Sequence, residues 1–302
     1  MSLSSSALPA RTGRNAIRRF FRKYFIGYLF IAVPVIWISA FMLIPMLVSL
    51  SWSFTDYDGL HPAHIVWLKN YIDIFRDSIF QHAILNTTVF VLLGMTIGPT
   101  LGLLSAVLIN QTKRLQAFFR TAFFMPVMTS LVVVSTIWIT IYNRSGVLNA
   151  VLHLLGYQTI NWLSDPHWSL FSVIIASVWQ GFGFETVVFL AALQGIPKEL
   201  YEAATIDGAD SVEQLWYITL PSLRPVILFI YIYGIIGSYQ LYDQVYVMTQ
   251  GGPVYSTESL VYFLMNKFQS LQLGYASAIA YILFIILVIF SFLQYRFFSE
   301  RG

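Results

Sequence analysis

Residues 196–221 read IPKELYEAATIDGADSVEQLWYITLP, a polar stretch set between two long apolar runs, Ser169–Leu193 and Pro225–Met248. A simple hairpin between two membrane helices does not need so many polar residues. Pro197 suits the first turn of a helix, Lys198–Ile206 are mostly good helix formers, and Gly208 can take the left-handed conformation that ends one. Ser211 followed by Gln214 has the form of a capping box, so a second helix can start at once, and Pro221 is expected to stop it. The stretch therefore predicts a helix–glycine–helix elbow. Ala203 and Ala204 offer small side chains to something that docks closely, while Glu199, Glu202 and Asp207 frame them with charge.

The two flanking runs are part of a wider pattern. The 302 residues are 57% hydrophobic and 10% charged, against roughly 25% charged in a soluble domain. Such a chain cannot cover a soluble core with polar surface. Six predominantly apolar runs approach or exceed the roughly 20 residues needed to cross a bilayer as a helix. They are Tyr24–Thr55, interrupted by Pro34 and Pro45, then His82–Asn110, Thr121–Tyr142, Ser169–Leu193, Pro225–Met248 and Gly274–Phe298. The expected fold is an all-α polytopic membrane protein with about six transmembrane helices. The first run is too long for a cleavable signal peptide. There is no cysteine, which excludes disulfides and thiolate chemistry, and a net charge of +3 with no basic patch speaks against a nucleic-acid partner.

Six spans place both termini on one side. With that side cytoplasmic, thirteen of the seventeen basic residues fall inside, and only Lys69, Arg76, Arg144 and Lys267 fall outside. This is the positive-inside pattern. Three regions follow: a basic cytoplasmic segment 1–23, a transmembrane region 24–298 holding the elbow 196–221, and a short cytoplasmic tail 299–302. Arg14, Arg18 and Arg22 recur every fourth residue beside Ile17, Phe21 and Phe25, which predicts a short helix on the inner surface, with a solvated tail as the alternative up to Arg14. Two external segments carry structure of their own. Residues 54–81 open with a turn at Asp56–Gly59, and residues 145–168 open with a short helix between an N-cap at Ser145 and a terminating Gly156.

The elbow carries a resemblance. Glu202-Ala203-Ala204, three residues, Gly208, nine residues, then Ile218 and Leu220-Pro221 match position for position the signature of the inner-membrane permease subunits of binding-protein-dependent ABC importers. Seven fixed residue types at that spacing arise by chance with a probability on the order of 10⁻⁵ or less. Asp207 and Ala209 fit the common Asp-Gly-Ala form, whereas Leu215 stands where many members have Phe. Looser likeness over about residues 24–298 points to the carbohydrate branch, of maltose and glycerol-3-phosphate type. It rests on Asn161-Trp162-Leu163, Leu193–Pro197 and Tyr246–Pro253. The resemblance implies that Glu202, Ala203, Ala204, Asp207 and Gly208 form a coupling helix docked in a cleft of a cytoplasmic ATPase, and that transport proceeds by alternating access. It also implies the partners: a second permease subunit, two ATPase subunits that bind ATP and Mg, an extracytoplasmic solute-binding protein and a sugar-like solute. The setting implied is a bacterial or archaeal cytoplasmic membrane.

The chain holds no engine of its own. No G-x-x-x-x-G-K-[ST] loop is present, so ATP hydrolysis is expected in a separate polypeptide and no cofactor in this one. His61 and His64 lack a spaced third metal ligand, and no catalytic constellation stands out. Acidic residues inside spans are costly, roughly 2.5–3.5 kcal/mol each, and usually face a cavity or a partner. Two clusters qualify as a solute pathway: Gln180, Gly181, Phe184 and Glu185 in the fourth run, and Ser238, Tyr239, Gln240 and Asp243 in the fifth. Their mixture of rings, amides and acids suits a hydroxylated solute. Spacings of three and four are expected to put Tyr239, Gln240 and Asp243 on one helical face. The alternative is that these groups fix packing between helices. A stand-alone secondary transporter or a membrane enzyme gives the elbow no role, and glycerol phosphate or polyol solutes are the nearest alternative to sugars.

Overall fold

A computed structural model describes residues 13–112 and 114–299. Residues 1–12, Lys113 and 300–302 lie outside it, and with them Arg11, Lys113 and Arg301 of the basic residues and most of the expected tail. Helices are the only repeating element among the described residues. Six helical stretches there are long and apolar enough to cross a membrane, and the protein is an all-α polytopic membrane protein.

The chain divides into two units, the first ending at Ser51 and the second starting at Trp52. The first begins with α1 (Gly13–Ile38), which runs on through a π-turn at Ser39–Leu43 into α2 (Ile44–Ser53). The basic segment is therefore the opening of one continuous helix and not a separate surface helix, because the helix runs from Gly13 to Ile38 without a break in spite of Pro34. Its apolar side chains, from Leu29 to Val48, are exposed, as suits a helix whose solvent is lipid.

A π-turn before a proline recurs later in the chain. The elbow's second limb, α10 (Ser211–Gln214), passes through a π-turn at Leu215–Thr219 into α11 (Leu220–Tyr239). In both places the residue just before the proline, Ile44 or Leu220, bonds five residues back, to the carbonyl of Ser39 or Leu215. A proline lacks the N–H and its ring clashes with the carbonyl four residues earlier. Widening the preceding turn absorbs both problems. Pro221 therefore does not stop the second limb, contrary to the reading of the sequence. The limb is helical all the way into the fifth span.

The second unit is built around α4 (Ser78–Gln111), which follows a short α3 (Lys69–Arg76). Three apolar clusters share α4. Its first half, with Phe80 and Met95, packs with Ile74 of α3, Phe263 of α13 (Leu260–Gln269) and Ile279 of α14 (Leu273–Ser299). Phe90 meets Tyr142 of α6 (Leu131–Tyr142) and Val173 of α8 (Ser169–Gln194), and Val245 of α12 (Asp243–Met248) completes that group. Ala106 and Ile109 meet Phe189 of α8 and Leu223 of α11. Between helices in lipid the hydrophobic effect gives little drive, so close contact through small residues must supply it. A Cβ on Gly102 of α4 would stand 2.7 Å from the Cβ of Glu185 on α8. On the other side of α8, a Cβ on Gly183 would collide with the carbonyl oxygen of Phe123 in α5 (Gln116–Met128).

Two expected spans are interrupted. The third run breaks at Thr129–Ser130, where α5 ends and α6 begins, and the stretch long and apolar enough to cross is Leu131–Leu154. It takes in α7 (Val147–Leu154), whose N-cap is Gly146 and not Ser145. Gly156 terminates it at φ +83°, with Tyr157 N–H bonded to the Leu152 carbonyl at 2.9 Å, the closure expected of a glycine stop. The fifth run breaks at Gln240–Tyr242, between α11 and α12.

The glycine contacts give a paired test. Gly183→Ala is expected to cost about 1–3 kcal/mol, because the backbone of α5 must retreat. Gly181→Ala, which meets nothing within 4 Å, is expected to leave stability near the wild type. Thermal melting of the detergent-purified protein reads the difference, and equal melting temperatures would refute the close α5–α8 contact.

Candidate functional site

Two sites are built on α8 and α11. The first is the elbow between them. Its first limb, α9 (Lys198–Ile206), ends at Gly208 with φ +86°, where Ala209 N–H bonds to the Ala204 carbonyl at 2.9 Å and Gly208 N–H to that of Thr205 at 3.1 Å. A Cβ at Gly208 would meet nothing within 4 Å. The glycine is therefore needed for its backbone angle and not for space. The capping box sits one residue earlier than Ser211: Asp210 accepts from Val212 and Glu213 N–H, each at 2.8 Å, while Glu213 accepts from Asp210 N–H at 2.9 Å. Aspartate caps as well as serine and its carboxylate adds favourable charge at the helix start.

Cross-links hold the limbs at a fixed angle. The Gln214 amide donates to Thr205 Oγ1 at 3.0 Å, and the Tyr201 and Thr219 hydroxyls lie 2.9 Å apart. Glu202, Ala203, Asp207 and Gly208 are exposed and Ala204 half-buried. Beside them stand large apolar side chains that the sequence reading did not single out: Ile206, 87% exposed, with Val212, Trp216 and Tyr217 on the second limb. Exposed apolar groups of this size, rimmed by carboxylates, mark a candidate docking surface.

The second site is a cavity of about 380 Å³ walled by α4, α8, α11 and the broken backbone that follows α11. Seven of the eight residues singled out in the spans line it: Gln180, Gly181, Phe184, Glu185, Ser238, Gln240 and Asp243. Tyr239 does not. It is 2% exposed and belongs to the core cluster around Phe80 and Ile279, its ring centroid 5.6 Å from that of Phe290 on α14. The expected single helical face does not exist, because α11 ends at Tyr239 and α12 begins at Asp243, so the spacing of three and four does not hold across them.

The break itself has physical support. Irregular backbone at membrane depth survives only where protein or a cavity satisfies it. The Leu241 carbonyl accepts from Ser259 Oγ at 2.6 Å, and the Gln244 amide oxygen accepts from Ser177 of α8. Gly94 and Gly98 of α4 and Tyr233 and Tyr242 add to the wall. They were missed because no charge or motif marks them. A Cβ at Gly98 would come within 3.0 Å of Glu185 Oε2, so the glycine lets α4 pass beside the carboxyl group. That Oε2 is buried and has no hydrogen-bond partner among the protein groups.

A third acid escaped notice in the sequence because it lies outside the spans. Glu258, between α12 and α13, is 3% exposed. Its loop is held by Asn86, whose amide donates to the carbonyls of Tyr255 at 2.8 Å and Glu258 at 3.1 Å. His61 and His64 each sit beside an aspartate, with Nδ1 2.6 Å from Asp58 and 3.4 Å from Asp56. Among the described residues no three acids or histidines are placed to hold a metal.

Residues 98–301 match the family model of the binding-protein-dependent transport system inner membrane component. The chain is 36% identical to the lactose transport system permease protein LacF of Rhizobium radiobacter, over 97% of this chain and 99% of the relative. It is also 36% identical to the multiple sugar-binding transport system permease protein MsmF of Streptococcus mutans, over 93% and 97%. Among solved structures it superposes on a chain of a bacterial ABC transporter involved in import of the acidic polysaccharide alginate. That match has a TM-score of 0.84 at 21% identity and covers 94% of this chain and 99% of that one. A second alginate ABC transporter structure, at TM-score 0.81 and 22% identity over 92% and 95%, was solved in complex with a pentasaccharide-bound periplasmic protein.

Glu258 supplies a pH test. Burial pushes its carboxyl from 4.5 up to about 7, the bond to Asn266 opposes this, and the Asp77 carboxylate adds to it. The native state thus holds its proton to higher pH than the unfolded chain. This contribution is fully present below about 4.5, is lost as pH rises to about 7, and amounts to about 3 kcal/mol at most. Melting of the wild type relative to Glu258→Gln should fall across that window, and a pH-independent difference would contradict the burial.

Proposed function

Because the chain belongs to the binding-protein-dependent transport system inner membrane components, which are permease subunits and not enzymes, we propose that it moves a sugar or oligosaccharide through the α4–α8–α11 cavity by alternating access. The observation that carries this reading is that one pair of helices makes both sites. The elbow joins α8 to α11, its second limb is continuous with α11, and both helices wall the cavity. A force applied at Val212 or Trp216 therefore reaches Gly234 and Ser238 along continuous helix, and the limb carrying Glu202 and Ile206 is tied to that rod through the Gln214–Thr205 and Tyr201–Thr219 hydrogen bonds.

The remaining roles follow from that connection. Glu202, Ala203, Ala204, Asp207 and Gly208 dock on a partner ATPase, with Ile206 filling an apolar slot, and ATP and Mg are bound in that partner. One elbow serves one ATPase, so a second permease completes the pair, and a solute-binding protein delivers from outside. Relatives named for lactose and multiple sugars support a saccharide solute. The elbow and both termini are cytoplasmic, and residues 54–81 and 145–168 face outward together with the connection that carries Lys267, on the strength of the basic-residue bias. The basic segment 1–23 and the tail from 299 flank the transmembrane region on the inner side.

Two measurements test this. Gly208→Pro and Glu202→Lys are expected to reduce uptake at least tenfold while the chain still inserts, with ATPase chains lost from the mild-detergent complex or insensitive to solute; normal uptake with Gly208→Pro removes the elbow as the transmission point. Orientation is read by a single cysteine at position 210, which is clean in a chain with none of its own. It should resist an impermeant thiol reagent in intact cells and react after permeabilisation, and labelling in intact cells would invert the topology.

A further inference from the structure

Family membership leaves the charge of the solute open, and the cavity wall addresses it. Its lining includes two carboxyl groups, Glu185 and Asp243, and among the described residues no lysine, arginine or histidine. Asp243 is exposed on the first residue of α12, and Glu185 turns a buried, unpartnered oxygen against α4. The last turn of α11 also lines the cavity, so the partly negative carbonyl end of that helix points the same way. The other polar groups there are neutral amides and hydroxyls. The two carboxyl groups and the carbonyl end of α11 are thus unfavourable to an anion and compatible with neutral hydroxyl groups, and the amino end of the short α12, the one dipole of opposite sense at this wall, carries the Asp243 carboxyl group on its first residue.

We propose that Asp243 and Glu185 make this cavity an anion filter, so that it passes neutral saccharides and not uronic acids, sulfonates or phosphate esters. Like charges brought together away from bulk water repel far more strongly than at a wet surface, and a repulsive group discriminates as effectively as an attractive one. Asp243 acts first, at the broken end of α11, and Glu185 acts deeper, beside Gly98. The amides of Gln180 and Gln240 and the Ser238 hydroxyl then meet hydroxyl groups without regard to charge. The filter rests on the cavity being the solute route.

The test reads the local potential without requiring transport. Ser238→Cys, in the complete complex, is treated with cationic trimethylammonium-ethyl, anionic sulfonatoethyl and neutral methyl methanethiosulfonates, and modification of this chain is followed by intact mass. The cation-to-anion rate ratio, divided by the same ratio on a free thiol, cancels differences in thiolate fraction. The expected value is about tenfold or more at low salt, falling toward one when Asp243→Asn and Glu185→Gln are combined. Gln240→Cys should show the same trend. A normalised ratio near one, a ratio unmoved by both substitutions, or no reaction even with the neutral reagent at both positions overturns the filter. The route is judged separately by uptake with Asp243→Ala and Glu185→Ala. Impaired uptake at normal complex yield supports it, and wild-type uptake removes the route, and the filter with it, whatever the ratio.

Discussion

The close approach of α4 and α8 is the constraint on which the rest of the second unit depends. In lipid, two helices gain little by hiding apolar surface from a solvent that is itself apolar, so their association rests on packing at short range. Gly98 and Gly102 remove the side chains that would hold α4 away from Glu185. Gly183 does the same toward α5. Once the three helices are set, the remaining face of α8, carrying Gln180, Gly181 and Phe184, is left to line a cavity against the end of α11.

Proline placement serves the same architecture in a different way. Both π-turns lie just before a proline, and both keep a helix running where a sharp stop was expected. At Pro221 this has a mechanical meaning. The second limb of the elbow and the wall of the cavity become one rod, whose displacement at Val212 or Trp216 is displacement near Gly234 and Ser238. The break at Gln240–Tyr242 sets the far end of that rod, and Ser259 and Ser177 secure the backbone and amide on its other side.

The two sites differ in how they are built. The elbow is assembled from neighbours in sequence: a left-handed glycine, a capping box and hydrogen bonds spanning at most a few turns. Its surface leaves large apolar groups exposed, Ile206 and Trp216 among them. The cavity is assembled from residues far apart in the chain, and its acids are partly enclosed. An exposed surface recognises by shape and rim charge, whereas an enclosed one recognises by the sign and placement of a few groups.

Fixed local spacing and composition were enough to read the all-α membrane class, the number of membrane-length apolar stretches though not the bounds of the third and fifth, the elbow with Gly208 at its bend, and the glycine stop at Gly156. These features depend on backbone angles, caps and hydropathy over short windows, which a sequence displays directly. The cap at Asp210 was misplaced by one residue, since two adjacent polar residues compete for the position. Only the tertiary structure decided that α11 ends at Tyr239, that Tyr239 turns into the core while Gln240 and Asp243 face the cavity, and that Gly98 stands against Glu185. It also decided that Glu258 is buried in a loop. Each of these depends on a partner well beyond the next helical turns, 18 residues away in the case of Ser259 for Leu241 and 169 in that of Asn86 for Tyr255. No periodicity along the chain can report which distant backbone will supply the missing hydrogen bond or leave the missing space.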